Sequence, residues 1–446
     1  MKNLRWLAVL GSQIVLIVGF WFWYHWRHPL GNLLTGDAVG QLLAYGRLAG
    51  LLAAFGVLLQ LILIGRVGWV EPSFGLDRLT RLHHVLGLAL LALLLAHPLL
   101  VLTGHARQAD VGLWAQLLDF CRSWEDVLAA VLGLAILLTA VALSLGAVRR
   151  RLRYETWHLT HLGLYLALAL VFGHQLEVGS DLTENRWFAA YWWLLYGVVL
   201  GNLLGYRVGR PLWRFAGHRF AVARLVAEPG EVTSVILHGR HLERFRARGG
   251  QFFMVRFWAP GFRWQAHPFS LSCPPDGTQL RLTIKPVGDF TRRIPQLQPG
   301  TPVILDGPHG IFTAEVCQSS RVLLLAGGIG ITPIRALAAD LLAAGREIIL
   351  IYGNRTPSTV VFGEELEALA QAAAGRLRII HVMSDSPGYP GEKGRVDRDC
   401  VCRLVPDVAE RDVYLCGPPP MMAGLRPALL ALGVPPHRLH DERFAL

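Results

Sequence analysis

Several motifs that would assign this chain of 446 residues to a common metal or disulfide class are missing. The six cysteines include no CxxC pair, and Cys400 and Cys402 form only CxC, which argues against an iron–sulfur cluster or a structural zinc. No calcium-loop pattern occurs, so we expect no intrinsic calcium switch. We also expect no extra domain before the first apolar segment.

Charge is scarce as well. Charged residues make up 17% of the chain and hydrophobic residues 53%, and the apolar runs are confined to residues 1–208. The net charge of +11 does not form one basic stripe, because the basic residues cluster at the ends of apolar segments. This distribution indicates membrane topology rather than nucleic-acid binding.

The apolar runs predict six membrane helices. Residues 4–24 could be a signal peptide, but the run is too long and lacks a small-residue cleavage site, so we interpret it as the first span. The other five spans are expected near residues 41–64, 82–104, 126–147, 157–176 and 187–208. Twelve lysines and arginines flank one side and four the other. The positive-inside rule then predicts a multi-pass protein of the plasma or inner membrane with both termini cytoplasmic.

Two pairs of histidines lie inside these apolar runs. His83 and His97 are 14 residues apart, and His161 and His174 are 13 apart. Imidazole in hydrocarbon is unfavourable unless its nitrogens are satisfied. Each spacing corresponds to roughly 20 Å of helix, within an apolar layer about 30 Å thick. The pairs therefore predict two stacked, bis-histidine b-type haems that form an electron path across the membrane.

The helical wheel supports the two spacings unequally. A 14-residue step leaves two side chains about 40° apart, whereas a 13-residue step leaves roughly 140°. The helix that carries His161 and His174 is therefore expected to contain a π-bulge or tight turn near Gly163 or Gly173.

Three stretches resemble the ferric reductase-type membrane domain of the NADPH oxidase and ferric-chelate reductase family, whose six helices hold two haems. They are GRLAG (46–50), EPSFGLDRLTRLHHVLG (71–87) and YETWHLTHLGLY (154–165). The resemblance implies that His83 and His161 bind the inner haem and that His97 and His174 bind the outer one. His84 and His158 are then additional histidines.

Arg47 is a charge inside the second predicted span. Such a residue is a functional candidate by default. The resemblance implies a place beside the outer haem, where the guanidinium pairs with a propionate or attracts an anionic product. The alternative is that the side chain extends to the outer interface.

From about residue 219 six short strands alternate with glycine and proline, which predicts a small antiparallel barrel. In KPVGDFTRRI (285–294) Gly288 and Thr291 precede a probable helix start whose N–H groups would suit a pyrophosphate. This stretch and HPFSLS (267–272) resemble the flavin-binding barrel of ferredoxin–NADP reductases, in the version that NADPH oxidases use. The resemblance implies an FAD site, although arginine is more common where His267 stands. Its residues are His267, Pro268, Phe269 and Ser270 along the flavin, with Lys285, Gly288 and Thr291 at the phosphates.

Residues 320–342 combine a buried strand, a glycine turn and a helix, without the full GxGxxG fingerprint. The turn residues that let a pyrophosphate approach the helix N-terminus are Gly327, Gly328, Gly330, Thr332 and Pro333. Further strands near 347–352, 377–383 and 412–416 predict an α/β doubly wound sheet.

The last of these strands ends in a turn that resembles the CGP-x-x-M turn of the same reductases. The resemblance places Cys416, Gly417 and Pro418 near the nicotinamide, whereas the alternative for Cys416 is a core cysteine. The family commonly ends in an aromatic near the flavin ring, and Phe444 is the candidate. Arg355 follows a strand where an acid would favour NADH, so we expect NADPH, with NADH possible.

Together these patterns predict a multidomain oxidoreductase. It comprises a six-helix transmembrane haem bundle (1–208), an antiparallel β-barrel FAD domain (209–318) and an α/β nucleotide-binding domain (319–446). Electrons would pass from cytoplasmic NADPH through FAD and two haem b groups to an outer acceptor, with no obligatory protein partner. We expect O2 to be reduced to superoxide, because the outer loops are short and their histidines scattered. The alternatives are a ferric-chelate reductase, a cytochrome b donor to a periplasmic partner, and a soluble-type reductase tethered to the membrane.

Overall fold

The computed structural model describes residues 2–27, 37–149, 151–152, 154–177 and 180–443. The chain divides into two compact units. The first comprises residues 1–67 and 78–204, and the second comprises residues 68–77 and 205–446. The finer division at residues 208 and 318 stays a prediction.

The first half of the chain is helical. Its helices are α1 (Lys2–Arg27), α2 (Ala38–Ile64), α3 (Glu71–Phe74), α4 (Leu76–Gln108), α5 (Leu113–Ser123), α6 (Val127–Ser144), α7 (Gly146–Arg149), α8 (Tyr154–Glu177), α9 (Ser180–Thr183), α10 (Arg186–Leu204) and, after a π-helical turn at Gly205–Gly209, α11 (Arg210–His218).

Among the described residues, six helical segments are long and apolar enough to cross a membrane, as the sequence predicted. They are Arg5–Trp26, Ala38–Ile64, Leu76–Gln108, Val127–Ser144, Thr156–Leu176 and Arg186–His218. Large side chains of α1, α2 and α10, including Trp21, Phe55 and Trp192, form a common core. Gly133 allows α6 to approach α8 closely, since a Cβ at this position would lie 2.8 Å from Cγ1 of Val171. Small residues at helix contacts are typical of membrane bundles.

The prediction of an irregularity in the fifth span is wrong. Helix α8 is a continuous α-helix from Tyr154 to Glu177 and shows neither a π-bulge nor a tight turn at Gly163 or Gly173. A helical wheel treats one helix in isolation. It takes no account of side-chain torsion angles or of the angle at which neighbouring helices cross. Because the backbone is regular, those two factors must accommodate the angular offset between His161 and His174.

Six strands form the predicted barrel in two three-stranded antiparallel sheets, with orders β1-β2-β5 and β4-β3-β6. The strands are β1 (Ala221–Glu228), β2 (Val232–His238), β3 (Phe252–Phe257), β4 (His267–Ser270), β5 (Leu280–Ile284) and β6 (Val303–His309). Phe220, Phe253 and Phe257 are fully buried between the sheets, with Val235 and Leu282 beside them. The short helix α12 (Asp289–Arg292) follows β5.

The remainder is the predicted doubly wound domain, with a parallel sheet of order β10-β9-β8-β7-β11-β12. The strands are β7 (Arg321–Gly327), β8 (Glu347–Asn354), β9 (Leu377–Met383), β10 (Glu392–Lys393), β11 (Asp412–Cys416) and β12 (Leu439–Glu442). The helices are α13 (Ile331–Ala343), α14 (Gly363–Ala372), α15 (Arg398–Leu404) and α16 (Pro419–Ala431). Strand order reverses beside β7, so the carboxyl ends of β7 and β11 border the crevice where such sheets bind ligands.

Candidate functional site

The histidine pair predicted to be the inner one, His83 and His161, joins α4 to α8. The ring centroids of His83 and His161 are 6.1 Å apart. Trp157, one turn before His161, stacks on its ring at 5.2 Å and donates from Nε1 to Oγ of Ser144, 3.1 Å away. The same Ser144 oxygen lies 3.4 Å from Nδ1 of His161. These contacts hold the ring on the side of Nδ1, so Nε2 is the nitrogen that could bind a metal.

The pair predicted to be the outer one, His97 and His174, has the same separation. The ring centroids of His97 and His174 are also 6.1 Å apart. Nδ1 of His97 donates to the carbonyl oxygen of Gly46 at 2.9 Å, and Nδ1 of His174 to that of Val171 at 2.8 Å. A backbone partner at Nδ1 fixes the tautomer that leaves Nε2 as a metal ligand.

The two pairs fit haem better than a bare metal ion. With an imidazole–metal bond of about 2 Å on each side, two rings that share one metal have centroids roughly 6 Å apart. In the part of the chain that the structure describes, no group of three or more His, Cys, Asp and Glu is arranged to hold a metal. His83 with His161, and His97 with His174, would therefore each hold the iron of a haem from two sides, and the porphyrin would supply its remaining nitrogen ligands.

Glycines of α2 create the space for the outer pair. A Cβ at Gly50 would lie 2.7 Å from Nδ1 of His97, and one at Gly46 would lie 2.8 Å from Cγ2 of Val101. Both positions belong to the GRLAG stretch, whose glycines thus permit close approach of α2 to α4.

Asp126 is a residue near His174 that was not predicted from the sequence. Its Oδ2 lies against Gly173, and its carboxylate interacts electrostatically with His174.

Arg47 follows the carbonyl that holds His97. Its guanidinium lies 6.0 Å from the ring centroid of Tyr24, and it interacts electrostatically with His105 on α4. The Tyr24 hydroxyl donates to Oε1 of Glu184 at 3.2 Å. Arg47 thus lies near the polar groups of Tyr24 and His105. The other two histidines of the predicted spans, His84 and His158, are exposed.

The predicted flavin residues lie on β4 and at the start of α12. The His267 ring packs against Phe290 with centroids 4.0 Å apart, and its Nε2 is 3.2 Å from Oε1 of Gln265. These contacts suit a residue that lines the flavin site better than a residue that binds a phosphate. Pro268 and Phe269 are half-buried beside it, and Ser270 is buried.

The predicted phosphate loop is held by Thr291. Its Oγ1 accepts from the N–H groups of Val287 and Gly288, each at 2.9 Å, and donates to the Gly288 carbonyl. Lys285 is exposed at the end of β5. The loop therefore places a cation and an ordered turn together, as an anionic group requires.

The nucleotide loop runs from β7 into α13. A Cβ at Gly330 would lie 2.3 Å from the Cys416 carbonyl oxygen, and one at Gly327 would lie 2.5 Å from Sδ of Met421. Gly328 has φ +50°, and no atom lies within 4 Å of the position that its Cβ would occupy. The backbone at this turn can therefore approach a diphosphate at the helix N-terminus. Thr332 is buried, and its hydroxyl donates to the Ile329 carbonyl. Pro333 is buried in the first turn of α13, where a missing N–H is tolerated.

Cys416 is fully buried at the end of β11, directly before Gly417 and the exposed Pro418. It pairs in register with Glu442 of β12, which is also buried. Burial raises the pKa of the Cys416 thiol well above its usual range, and the charge of Glu442 acts in the same direction. Glu442 was not predicted from the sequence, although it lies two residues before Phe444, which is outside the described residues.

Arg355 is exposed directly after β8. Its carbonyl accepts from the N–H of Asp385, so the backbone is fixed by the neighbouring β9 segment while the guanidinium faces solvent. The position is the carboxyl edge of the sheet, where the ribose end of a dinucleotide binds.

Three family models match the chain. "Ferric reductase like transmembrane component" matches residues 49–172, "FAD-binding domain" matches 218–311 and "Oxidoreductase NAD-binding domain" matches 324–426.

Curated relatives match part of the chain. The ferredoxin reductase component of 3-ketosteroid-9-alpha-monooxygenase from Mycobacterium tuberculosis is 32% identical over 206 residues, 45% of this chain and 56% of the relative. The flavohemoprotein of Bordetella pertussis is 30% identical over 299 residues, 60% of this chain and 71% of the relative. The solved cytochrome P450 reductase from Amycolatopsis is 25% identical with a TM-score of 0.45, covering 51% and 69% of the two chains. This chain thus spans little more than half the length of the first curated relatives.

The chain therefore joins a ferric reductase-like transmembrane domain to FAD-binding and NAD-binding oxidoreductase domains. This order of domains matches that of NADPH oxidase and ferric reductase-type fusions.

Proposed function

We propose that this protein transfers electrons from cytoplasmic NADPH through FAD and two b-type haems to O2 at the outer face, producing superoxide. The observation that carries the proposal is the equal 6.1 Å separation of the two histidine pairs on α4 and α8. Both termini of the helical region would face the cytoplasm, since twelve basic residues flank that side and four the other.

The chain's own residues would position the donor and its cofactor. The loop of Gly327, Gly328 and Gly330 would receive the NADPH diphosphate, and Arg355 would bind its 2′-phosphate. Gly288 and Thr291 would hold the phosphates of FAD. Bound FAD supplies the exchange of a hydride for single electrons, which haem iron requires. The buried Cys416 would stay a neutral thiol, because burial raises its pKa.

Haem stoichiometry tests the electron path. A fully loaded preparation should contain two haems per chain by pyridine haemochrome assay. His97→Ala or His174→Ala should remove one haem and leave NADPH-dependent reduction of a flavin-reactive dye intact. His84→Ala is a matched control, because this neighbouring histidine is exposed, and it should retain both haems. A ratio of one or zero in the wild type would refute the path.

Arg47 supports oxygen as the acceptor. Reduction of O2 develops a negative charge, and a fixed cation near the outer haem would stabilise it. Superoxide dismutase-sensitive dye reduction under air should exceed ferric-chelate reduction without oxygen on the same preparation. A faster chelate rate at physiological acceptor levels would replace the oxidase with a ferric reductase. An unchanged superoxide rate in Arg47→Ala, with both haems retained, would contradict the role of its charge.

A further inference from the structure

The connection between α2 and α4 belongs to the reductase part of the chain. Residues 68–77, which contain α3, fall in the compact unit of residues 205–446 rather than with the membrane helices that flank them. α4 starts in this segment, at Leu76, and reaches His83 seven residues further along the same helix. The segment is therefore part of the reductase unit and also contains the first two residues of the helix that carries His83.

Glu71 makes a long-range polar contact from this segment. Its side chain is buried, and its Oε1 accepts a 2.7 Å hydrogen bond from the N–H of Gly310, 239 residues away. A buried carboxylate that accepts from a backbone N–H forms a charge-assisted bond, which is stronger than a neutral one. Without its partner, either group would be buried unsatisfied.

Apolar contacts surround this hydrogen bond. Leu76, 4% exposed, packs with Phe252 and Met254 of β3. Gly75 lies against Ile311, since a Cβ at this position would be 3.3 Å from its side chain. The segment thus completes a small hydrophobic cluster on the barrel and is fixed there in one orientation.

The contact lies beside the proposed nicotinamide site. A Cβ at Gly310 would be 3.8 Å from Oε2 of Glu442, the residue that pairs with Cys416. Asp77 and Glu71 both interact electrostatically with Glu442. The segment that leads into the haem helix therefore borders the residues nearest to the predicted flavin and nicotinamide chemistry.

We propose that Glu71, through its hydrogen bond to Gly310, is a positioning residue that holds the start of α4 on the reductase and thereby sets the rate of electron transfer from FAD to the inner haem. This inference rests on the proposed function. It assigns Glu71 no contact with substrate or cofactor and predicts that the flavin half-reaction is independent of it.

The test uses the full-length protein with both cofactors loaded. Glu71→Ala should slow NADPH-driven haem reduction, followed by stopped-flow absorbance, by about tenfold or more, because small misplacements strongly reduce rates. Flavin-mediated reduction of ferricyanide and the NADPH KM should stay within about twofold. Glu71→Gln keeps an acceptor oxygen and should largely restore haem reduction, and Ser73→Ala in the same short helix should behave as wild type.

Unchanged haem reduction in Glu71→Ala would overturn the proposal. An equal loss of ferricyanide reduction would also overturn it, because Glu71 would then support the reductase fold generally. If the alanine variant does not accumulate, Glu71→Asp carries the same test, since it keeps the charge and shortens the reach by one methylene. Absence of haem from the wild type would refute the proposed function instead, and the haem assay distinguishes the two failures.

Discussion

Nδ1 of His97 on α4 donates to the carbonyl oxygen of Gly46 on α2, 2.9 Å away, and Gly50 one turn further lies under the same ring. Gly50→Ala would place its Cβ 2.7 Å from that nitrogen, so the ring must move. We expect loss of the outer haem with retention of the inner one, measured as a halved haem-to-protein ratio. Gly163→Ala is the matched control, because its Cβ would meet Ile136 at an ordinary 3.5 Å. Two retained haems in Gly50→Ala would show that α2 does not fix the outer ligand.

The sequence predicted what depends on local pattern. Apolar run length predicted the six spans, and glycine spacing predicted the nucleotide turn before α13. The wheel failed for α8 because it ignores helix packing. Glu71 and Glu442 were missed because their roles depend on contacts between distant parts of the chain, such as the bond from Gly310 to Glu71. The identity of the outer acceptor depends on chemistry beyond any of these patterns.

Arg355 should determine the preference for NADPH. Loss of one charge-assisted contact to the 2′-phosphate weakens binding by about 1.5–3 kcal/mol, which corresponds to a roughly tenfold to hundredfold rise in KM. Arg355→Ala should show this rise for NADPH and little change for NADH in flavin-dye assays. Arg378→Ala is the control, since Arg378 is also exposed but lies at the opposite end of its strand. Equal changes for both nucleotides would refute the assignment.

Thr291 should control FAD retention. Its hydroxyl oxygen accepts from two loop N–H groups, and alanine would leave both without this partner. The loss of about 0.5–1.5 kcal/mol of hydrogen bonding predicts a roughly twofold to tenfold weaker FAD Kd, measured by flavin fluorescence. Thr291→Ser keeps the hydroxyl and should bind FAD like the wild type. If serine and alanine weaken binding equally, the methyl group rather than the hydroxyl holds the loop.

Glu365 on α14 connects the barrel to the nucleotide domain. Its two oxygens each lie 2.6 Å from a guanidinium nitrogen, one from Arg281 on β5 and one from Arg335 on α13. Glu365→Gln should lower the unfolding free energy by about 1–2 kcal/mol, since the pairs are partly screened by solvent. Chemical denaturation followed by flavin fluorescence measures this change. Glu364→Gln, at the exposed neighbouring position, should have no effect, and equal stabilities would show that the ion pairs contribute nothing net.

Glu442 should make the stability of the reductase part depend on pH. Burial raises the pKa of its carboxyl well above the usual range, and the charges of Asp77, Glu71 and Asp441 raise it further. Because the folded pKa exceeds the unfolded value, near 4.5, the contribution of Glu442 to stability is complete below that value. It is lost as the pH rises through the folded pKa.

We therefore expect the Tm of the full chain, followed by flavin fluorescence, to fall as the pH is raised from about 5 to 8. Glu442→Gln cannot ionise and should flatten this dependence, with its largest relative gain at the alkaline end. Glu364→Gln, which removes an exposed carboxylate from the nucleotide domain, should keep the wild-type slope. If the Tm of Glu442→Gln depends on pH as steeply as that of the wild type, another group causes the dependence. The neutral form of Glu442 would then not stabilise the end of β12.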